Sequence, residues 1–135
     1  MNIITEAQQT QLWEQAQQAC QNAYAPYSQF QVGAAVLTEQ GTIFTGCNVE
    51  NVSYGLTICA ERNAIAAAVA TVGGHKMKIR AIAITNNRQL PCSPCGACRQ
   101  VIAEFANKNT IVIFIGQQGV EISTITELLP QGFSF

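Results

Sequence analysis

Two stretches, Ile79–Thr85 and Thr110–Ile115, are apolar almost without interruption and are bounded by polar or turn-forming residues. They are far too short to span a bilayer, which takes about 20 apolar residues in a helix. They suit strands covered on both faces, and such strands need helices above and below the sheet. Helical segments lie before and between them. Strands interleaved with helices point to an α/β fold, a three-layer α-β-α domain around a mixed sheet.

The remaining segments fill in that frame. A first helix is expected from Thr5, where Thr5 and Gln8 make a capping-box pattern. Leu12, Ala16, Ala19 and Ala23 then recur at helical spacing until Pro26 ends it. Val32–Leu37 and Thr42–Thr45 read as strands joined by a tight turn at Gln40-Gly41. The segment Ile58–Val72 is alanine-rich and apolar nearly all round, which is the pattern of a buried helix, and Gly73-Gly74 stops it. A further helix is expected from about Gly96 to Asn107, with Val101, Ile102 and Phe105 turned inward. Val120–Ser123 makes a fifth strand, and Thr124 with Glu127 caps a short last helix. No repeat or Pro/Gly-rich linker marks a boundary, so residues 1–135 are read as one domain.

Charge and residue usage remove several classes of function. The seven basic residues are scattered between Arg62 and Lys108, and the formal net charge is −1. No basic stripe is available to follow a phosphate backbone, so no nucleic acid partner is expected. Hydrophobic residues make up 48% and charged residues 11%, which leaves apolar surface on a small domain and implies a subunit interface. Met1–Gln11 shows no basic segment followed by an apolar one, so no signal peptide is read. A cytoplasmic location without a membrane partner is the default expectation. There is no aspartate, and the single histidine is His75 in a glycine turn, read as a solvated loop residue. A Ser-His-Asp triad, an aspartyl dyad or a histidine-rich metal site cannot be built from such a chain. Chemistry must use cysteine, glutamate or a bound ion.

Six cysteines are present: Cys20, Cys47, Cys59, Cys92, Cys95 and Cys98. Without an export signal they do not read as a disulfide framework. Cys20 and Cys47 read as small packing residues. Cys95 and Cys98, three apart at a helix start, place both sulfurs on one face, which is half of a zinc site. Redox motifs and structural zinc ribbons share that spacing. No second such pair exists, but Cys59 stands at the start of the other helix, with Glu61 two residues on. Three thiolates leave the fourth zinc position open, as a catalytic site requires. Both helix N-termini direct positive dipole ends at the sulfurs. Glu61 is placed for proton transfer, not ligation. Zinc-dependent nucleobase deaminases use this arrangement, with a non-ligand Glu as acid and base.

Longer matches carry a resemblance to a known family. Tyr24-Ala25-Pro26-Tyr27-Ser28-Gln29-Phe30-Gln31-Val32-Gly33, Gly46-Cys47-Asn48-Val49-Glu50-Asn51, Thr57-Ile58-Cys59-Ala60-Glu61-Arg62, Ser93-Pro94-Cys95-Gly96-Ala97-Cys98-Arg99-Gln100 and Leu128-Leu129-Pro130-Gln131-Gly132-Phe133 occur in order along nearly the whole chain. In these the chain resembles the small, homotetrameric, zinc-dependent cytidine deaminases. The resemblance implies the cytidine deaminase-like fold with a mixed five-stranded sheet and one Zn2+ per subunit on Cys59, Cys95 and Cys98. It implies Glu61 as proton shuttle and Arg62 as a hydrogen-bond donor to the ligand thiolates. Asn48 and Glu50 would hold the ribose hydroxyls, Phe30 would pack on the nucleoside, and the Ala60 and Ser93 backbones would meet the base or the departing amine. Tyr54 and Phe133 match positions that approach a neighbouring subunit's site. Asn63 departs from the Thr of many members, and Cys92 extends the cysteine run upstream.

The expected activity is hydrolysis of cytidine and 2′-deoxycytidine to the uridines and ammonia, as in pyrimidine salvage. The alternative substrate is a cytosine-nucleoside analogue such as blasticidin S, whose deaminases share the metal motifs. Two blander readings stand beside these. In one, Cys59, Cys92, Cys95 and Cys98 close a structural zinc site with no activity. In the other, the fold senses a nucleoside without turning it over.

Overall fold

The computed structural model describes residues 4–135; the start of the Met1–Gln11 segment read for a leader, residues 1–3, lies outside the described residues. Helix α1 spans Glu6–Cys20 and opens with the expected reciprocal capping box between Thr5 and Gln8. Its buried residues are Leu12, Ala16 and Cys20, so the inward stripe continues through Cys20 and the helix ends well before Pro26. Strands β1 (Val32–Thr38) and β2 (Ile43–Cys47) form a hairpin, and Gly41 takes a left-handed φ of 92° in its turn. A one-turn 3-10 segment covers Tyr54–Leu56. Then follow α2 (Ala60–Val72), β3 (Ile79–Asn86), α3 (Gly96–Glu104), β4 (Ala106–Gly116), β5 (Gly119–Thr124) and α4 (Ile125–Leu128).

The five strands form one sheet in the order β2-β1-β3-β4-β5. Only β3 and β4 run parallel; the other neighbours are antiparallel. The sheet is therefore mixed, and α3 is the crossover that its parallel pair requires. Strand alternation divides the core between two faces. Ala34, Val36, Ile82, Ile84, Val112 and Phe114 pack with residues of α2, α3 and α4, whereas Ala35, Leu37, Ala81, Ala83 and Ile113 pack with Leu12 and Ala16 of α1. This is the three-layer α-β-α arrangement, and the strands buried on both faces include the two apolar runs.

Two elements differ from expectation. Helix α3 stops at Glu104, and residues from Ala106 onward are already strand. Apolar spacing alone continues through Phe105, but the Ile79 N–H donates to the Phe105 carbonyl at 2.9 Å and Ile79 pairs with Ala106. Sheet pairing draws the chain out of the helix earlier than local pattern suggests. Helix α2 is also less enclosed than its composition implies. Ala60, Glu61, Ala64, Ile65 and Ala68 are buried, while Ala66, Ala67 and Ala70 are exposed. Alanine suits an exposed helix face because it loses no side-chain entropy there.

Candidate active site

Both helices that matter begin with a cysteine outside the first turn. Cys59 is the N-cap of α2 and Cys95 the N-cap of α3, where its sulfur accepts from the Cys98 N–H at 3.4 Å. The β3–α3 loop leaves the carboxyl end of β3 and brings α3 beside the start of α2. At the same end of the sheet β1 begins and β2 finishes, as the pairings of Val32 with Asn86 and Gly33 with Cys47 show. Ligand sites favour this position, outside strand ends where connections diverge to either side.

There the sulfurs of Cys59, Cys95 and Cys98 lie within 4.8 Å of one another. A zinc ion with bonds of about 2.3 Å sets its tetrahedral sulfurs about 3.8 Å apart, so the cluster fits with little adjustment. Cys92 stays outside that group. Its thiol is raised by burial and by the neighbouring Glu61, Cys59 and Cys95, and it does not join the three sulfurs that lie within 4.8 Å of one another. A set of three sulfur donors among the described residues, at two converging helix N-termini, fits a reactive ion better than a structural one, which takes four ligands.

Protons are distributed unevenly in the cluster. A hydrogen bond from the Cys98 thiol, reinforced by Arg62, lowers Cys59 to about 5. Cys98 is pushed up by the same hydrogen bond, since it supplies the shared proton. A divalent cation replaces that proton and lets all three sulfurs act as thiolates. Arg62 Nη2 donates to Cys59 Sγ at 3.4 Å.

Glu61 is 4% exposed, and burial raises its carboxyl above the ordinary carboxylate range. It lines a cavity of about 260 Å³ together with Phe30, Asn48, Glu50, Ala60, Ser93, Cys59 and Cys95, so eight of the sequence-derived residues meet in one place. Cys59 and Cys95 form the cavity's metal-side wall. Tyr54 is three-quarters exposed and stands outside, in a shallow depression shared with Tyr27, Ser28, Glu50 and Thr57. Phe133 is not brought into the cavity of its own chain. It is exposed near the C-terminus, where Gln100 donates to its carbonyl at 2.9 Å.

Asn48 holds the frame of the cavity. Its Oδ1 accepts from the Val32 N–H at 2.8 Å and its Nδ2 donates to the Phe30 carbonyl at 2.9 Å. Single bridges between Tyr24 and Val49 and between Val49 and Ile58 tie the three loop segments together. Arg99 braces the opposite wall, donating to the Pro94 carbonyl (2.7 Å), Ser93 Oγ (2.9 Å) and the Leu128 carbonyl (2.9 Å). Ser28, Val32, Thr57 and Ile84 also line the cavity, without a role in the sequence reading, as does Cys92, read there only as the fourth ligand of a structural zinc site. Ser28 was visible within the Tyr24–Gly33 motif. Val32 and Ile84 carry only the pattern of core strand residues.

Residues 6–114 match the family described as "Cytidine and deoxycytidylate deaminase zinc-binding region". The chain belongs to this deaminase family. It is 48% identical over 121 residues to a cytidine deaminase of Sporosarcina psychrophila, covering 89% of this chain and 87% of the relative. To the cytidine deaminase of Halalkalibacterium halodurans it is 45% identical over 124 residues, 91% and 92% of the two chains. Among solved structures, the cytidine deaminase of Burkholderia pseudomallei superposes with a TM-score of 0.80 at 42% identity, covering 96% of this chain and all of the other. That of Mycobacterium tuberculosis gives 0.80 at 38% identity, over 94% and 98%. Family membership and the three-sulfur cluster make this a zinc-dependent deaminase, a hydrolase with one zinc ion per chain. No helix among the described residues is long and apolar enough to cross a membrane.

Proposed function

We propose that this deaminase hydrolyses the exocyclic amine of cytidine and 2′-deoxycytidine, giving uridine or 2′-deoxyuridine and ammonia. The observation that carries the reading is the convergence of Cys59, Cys95 and Cys98 beside a buried Glu61 at one end of a nucleoside-sized cavity. Cys59, Cys95 and Cys98 would hold the zinc, which when bound supplies the Lewis acidity that makes water a nucleophile near neutral pH. Arg62 offsets part of the thiolate charge.

Glu61 takes a proton from the attacking water and passes it to the ring nitrogen beside the amine-bearing carbon. The water oxygen bonds to that carbon; Glu61 then takes the second proton, from the hydroxyl so added, and delivers it to the amine, which leaves as ammonia as the carbonyl forms. A carboxyl held above its ordinary range by burial suits both steps. The Ala60 and Ser93 backbones face the base and the departing amine, Phe30 packs on the nucleoside, and Glu50 with Asn48 recognises the sugar. A site built for hydroxyls discriminates against analogues that lack them, so free cytosine is expected to be a poor substrate.

Tyr54 and Phe133 serve the site of a neighbouring subunit in a homotetramer. Support comes from exposed apolar groups along Val49, Val52, Tyr54, Leu56 and Ile58 beside the cavity, and from the exposed alanine face of α2. The reaction belongs to pyrimidine salvage, and a cytoplasmic location fits it. Blasticidin S is the less favoured substrate, because relatives matching most of the chain are named cytidine deaminases. The deciding experiment measures ammonia release from cytidine, 2′-deoxycytidine, cytosine and blasticidin S, with zinc quantified on the same sample. Turnover of blasticidin S alone would overturn the substrate assignment.

A further inference from the structure

Glu50 is held by its own chain. Its Oε1 accepts from the N–H groups of Tyr27 (2.9 Å) and Ser28 (3.2 Å), while the Ser28 hydroxyl donates to Oε2. The same hydroxyl oxygen accepts from the Phe30 N–H at 3.0 Å. Ser28 thus joins the carboxylate assigned to the sugar with the residue assigned to pack on the nucleoside. The turn that presents it is closed by the Gln29 N–H on the Ala25 carbonyl (2.9 Å) and by a left-handed Gln29, φ 56°. A non-glycine residue in that region is uncommon and persists where its surroundings over-determine it. A carboxylate offers about four acceptor positions, so three donors from the chain leave one, on Oε2 beside the serine.

We propose that Ser28 is a positioning residue for sugar recognition, fixing Glu50 Oε2 so that its remaining acceptor position faces one substrate hydroxyl and setting Phe30 against the same point. This rests on the reading of Glu50 as the sugar-binding carboxylate. Without the hydroxyl, Oε1 keeps its two backbone bonds but Oε2 loses its one tether among the described residues, and the Phe30 N–H loses its acceptor. Glu61 and the sulfurs belong to the α2 and α3 starts and keep their own supports. Substrate binding therefore weakens while the chemical step does not.

The test is steady-state kinetics of Ser28→Ala, Ser28→Thr and Glu50→Gln, each zinc-loaded, on cytidine, 2′-deoxycytidine and 3′-deoxycytidine. Ser28→Ala is expected to raise KM for cytidine on the order of ten-fold, as loss of a hydrogen bond to a charged group does, with kcat within about two-fold. Ser28→Thr, which keeps a hydroxyl, recovers most of the loss. On whichever deoxy analogue lacks the hydroxyl held by Glu50, the Glu50→Gln penalty disappears and the Ser28→Ala penalty shrinks to the share carried by Phe30. If the Glu50→Gln penalty disappears there but the Ser28→Ala penalty persists undiminished, Ser28 does not act through Glu50 and the proposal is overturned while the role of Glu50 stands. If Glu50→Gln penalises all three substrates equally, the sugar reading of Glu50 fails and the proposal with it. A fall in kcat at unchanged KM in Ser28→Ala also overturns it. Should Ser28→Ala fail to fold, as unfolding midpoint and zinc content would show, Ser28→Cys with its weak thiol donor carries the same comparison.

Discussion

Burial raises the carboxyl of Glu61 above the ordinary carboxylate range, the direction that suits a group which both takes and returns protons. Glu61→Gln preserves shape and removes the exchangeable proton. It is expected to lower kcat on the order of 100- to 10,000-fold while zinc content is unchanged, which rate measurement and metal analysis on one sample will check. Glu50 behaves in the opposite sense. The Ser28 hydroxyl, followed by the two backbone donors, holds its carboxyl below the ordinary range. A folded-state value below the unfolded one contributes stability above the unfolded carboxylate range, and that contribution is lost as pH falls through the folded value. The gap in unfolding midpoint between the native chain and Glu50→Gln should therefore be widest at neutral pH and close on acidification, as thermal melts through the carboxylate range will show. At this scale the sequence named Glu61 and the three ligand cysteines through spacing and residue type. It did not single out Ser28, whose importance lies in partners 22 residues away.

Helix α2 carries both Cys59 and Glu61, and its seat on β2 depends on Gly46. A Cβ at Gly46 would meet the Ala64 N and the Ala60 carbonyl well inside contact distance, and both are helix backbone. Backbone cannot swing aside as a side chain can. Gly46→Ala is expected to cost about 1–3 kcal/mol or more and to reduce zinc affinity, measured by urea unfolding and by competition with a chromogenic chelator. By contrast Thr5→Ala removes the α1 capping box, distant from the metal, and should cost about 1 kcal/mol with zinc affinity unchanged. Caps, glycine stops and strand runs were legible because each is a local bargain between side chain and backbone. The end of α3 was not, because pairing between Ile79 and Ala106 decides it across the sheet.

Over the whole molecule, one ion would join the starts of α2 and α3, which a hydrogen bond between Cys98 and Cys59 already brings together. Removing zinc by chelation is expected to lower the unfolding midpoint and abolish activity, with both recovered on zinc addition; calorimetry with and without chelator tests this. The proposed tetramer makes a separate prediction. Tyr54→Ala and truncation before Phe133 should leave zinc content and unfolding midpoint of the protomer nearly unchanged yet reduce kcat/KM several-fold, since both side chains stand outside their own cavity. Light scattering on the same samples separates loss of assembly from loss of contact.

Sequence by itself determined the layer order, the residue types available for chemistry and the four cysteine-bearing positions from which a zinc site could be drawn. Apolar period, capping residues and the absence of aspartate are local properties, and they survive any rearrangement of the chain. Only the tertiary structure decided that Cys92 stands aside and that Asn48 braces Phe30 and Val32. It also turned Phe133 away from its own cavity, and it placed a serine under the carboxylate of Glu50. Those outcomes depend on distances between segments far apart in the chain, which are set when the sheet closes and the helix starts converge.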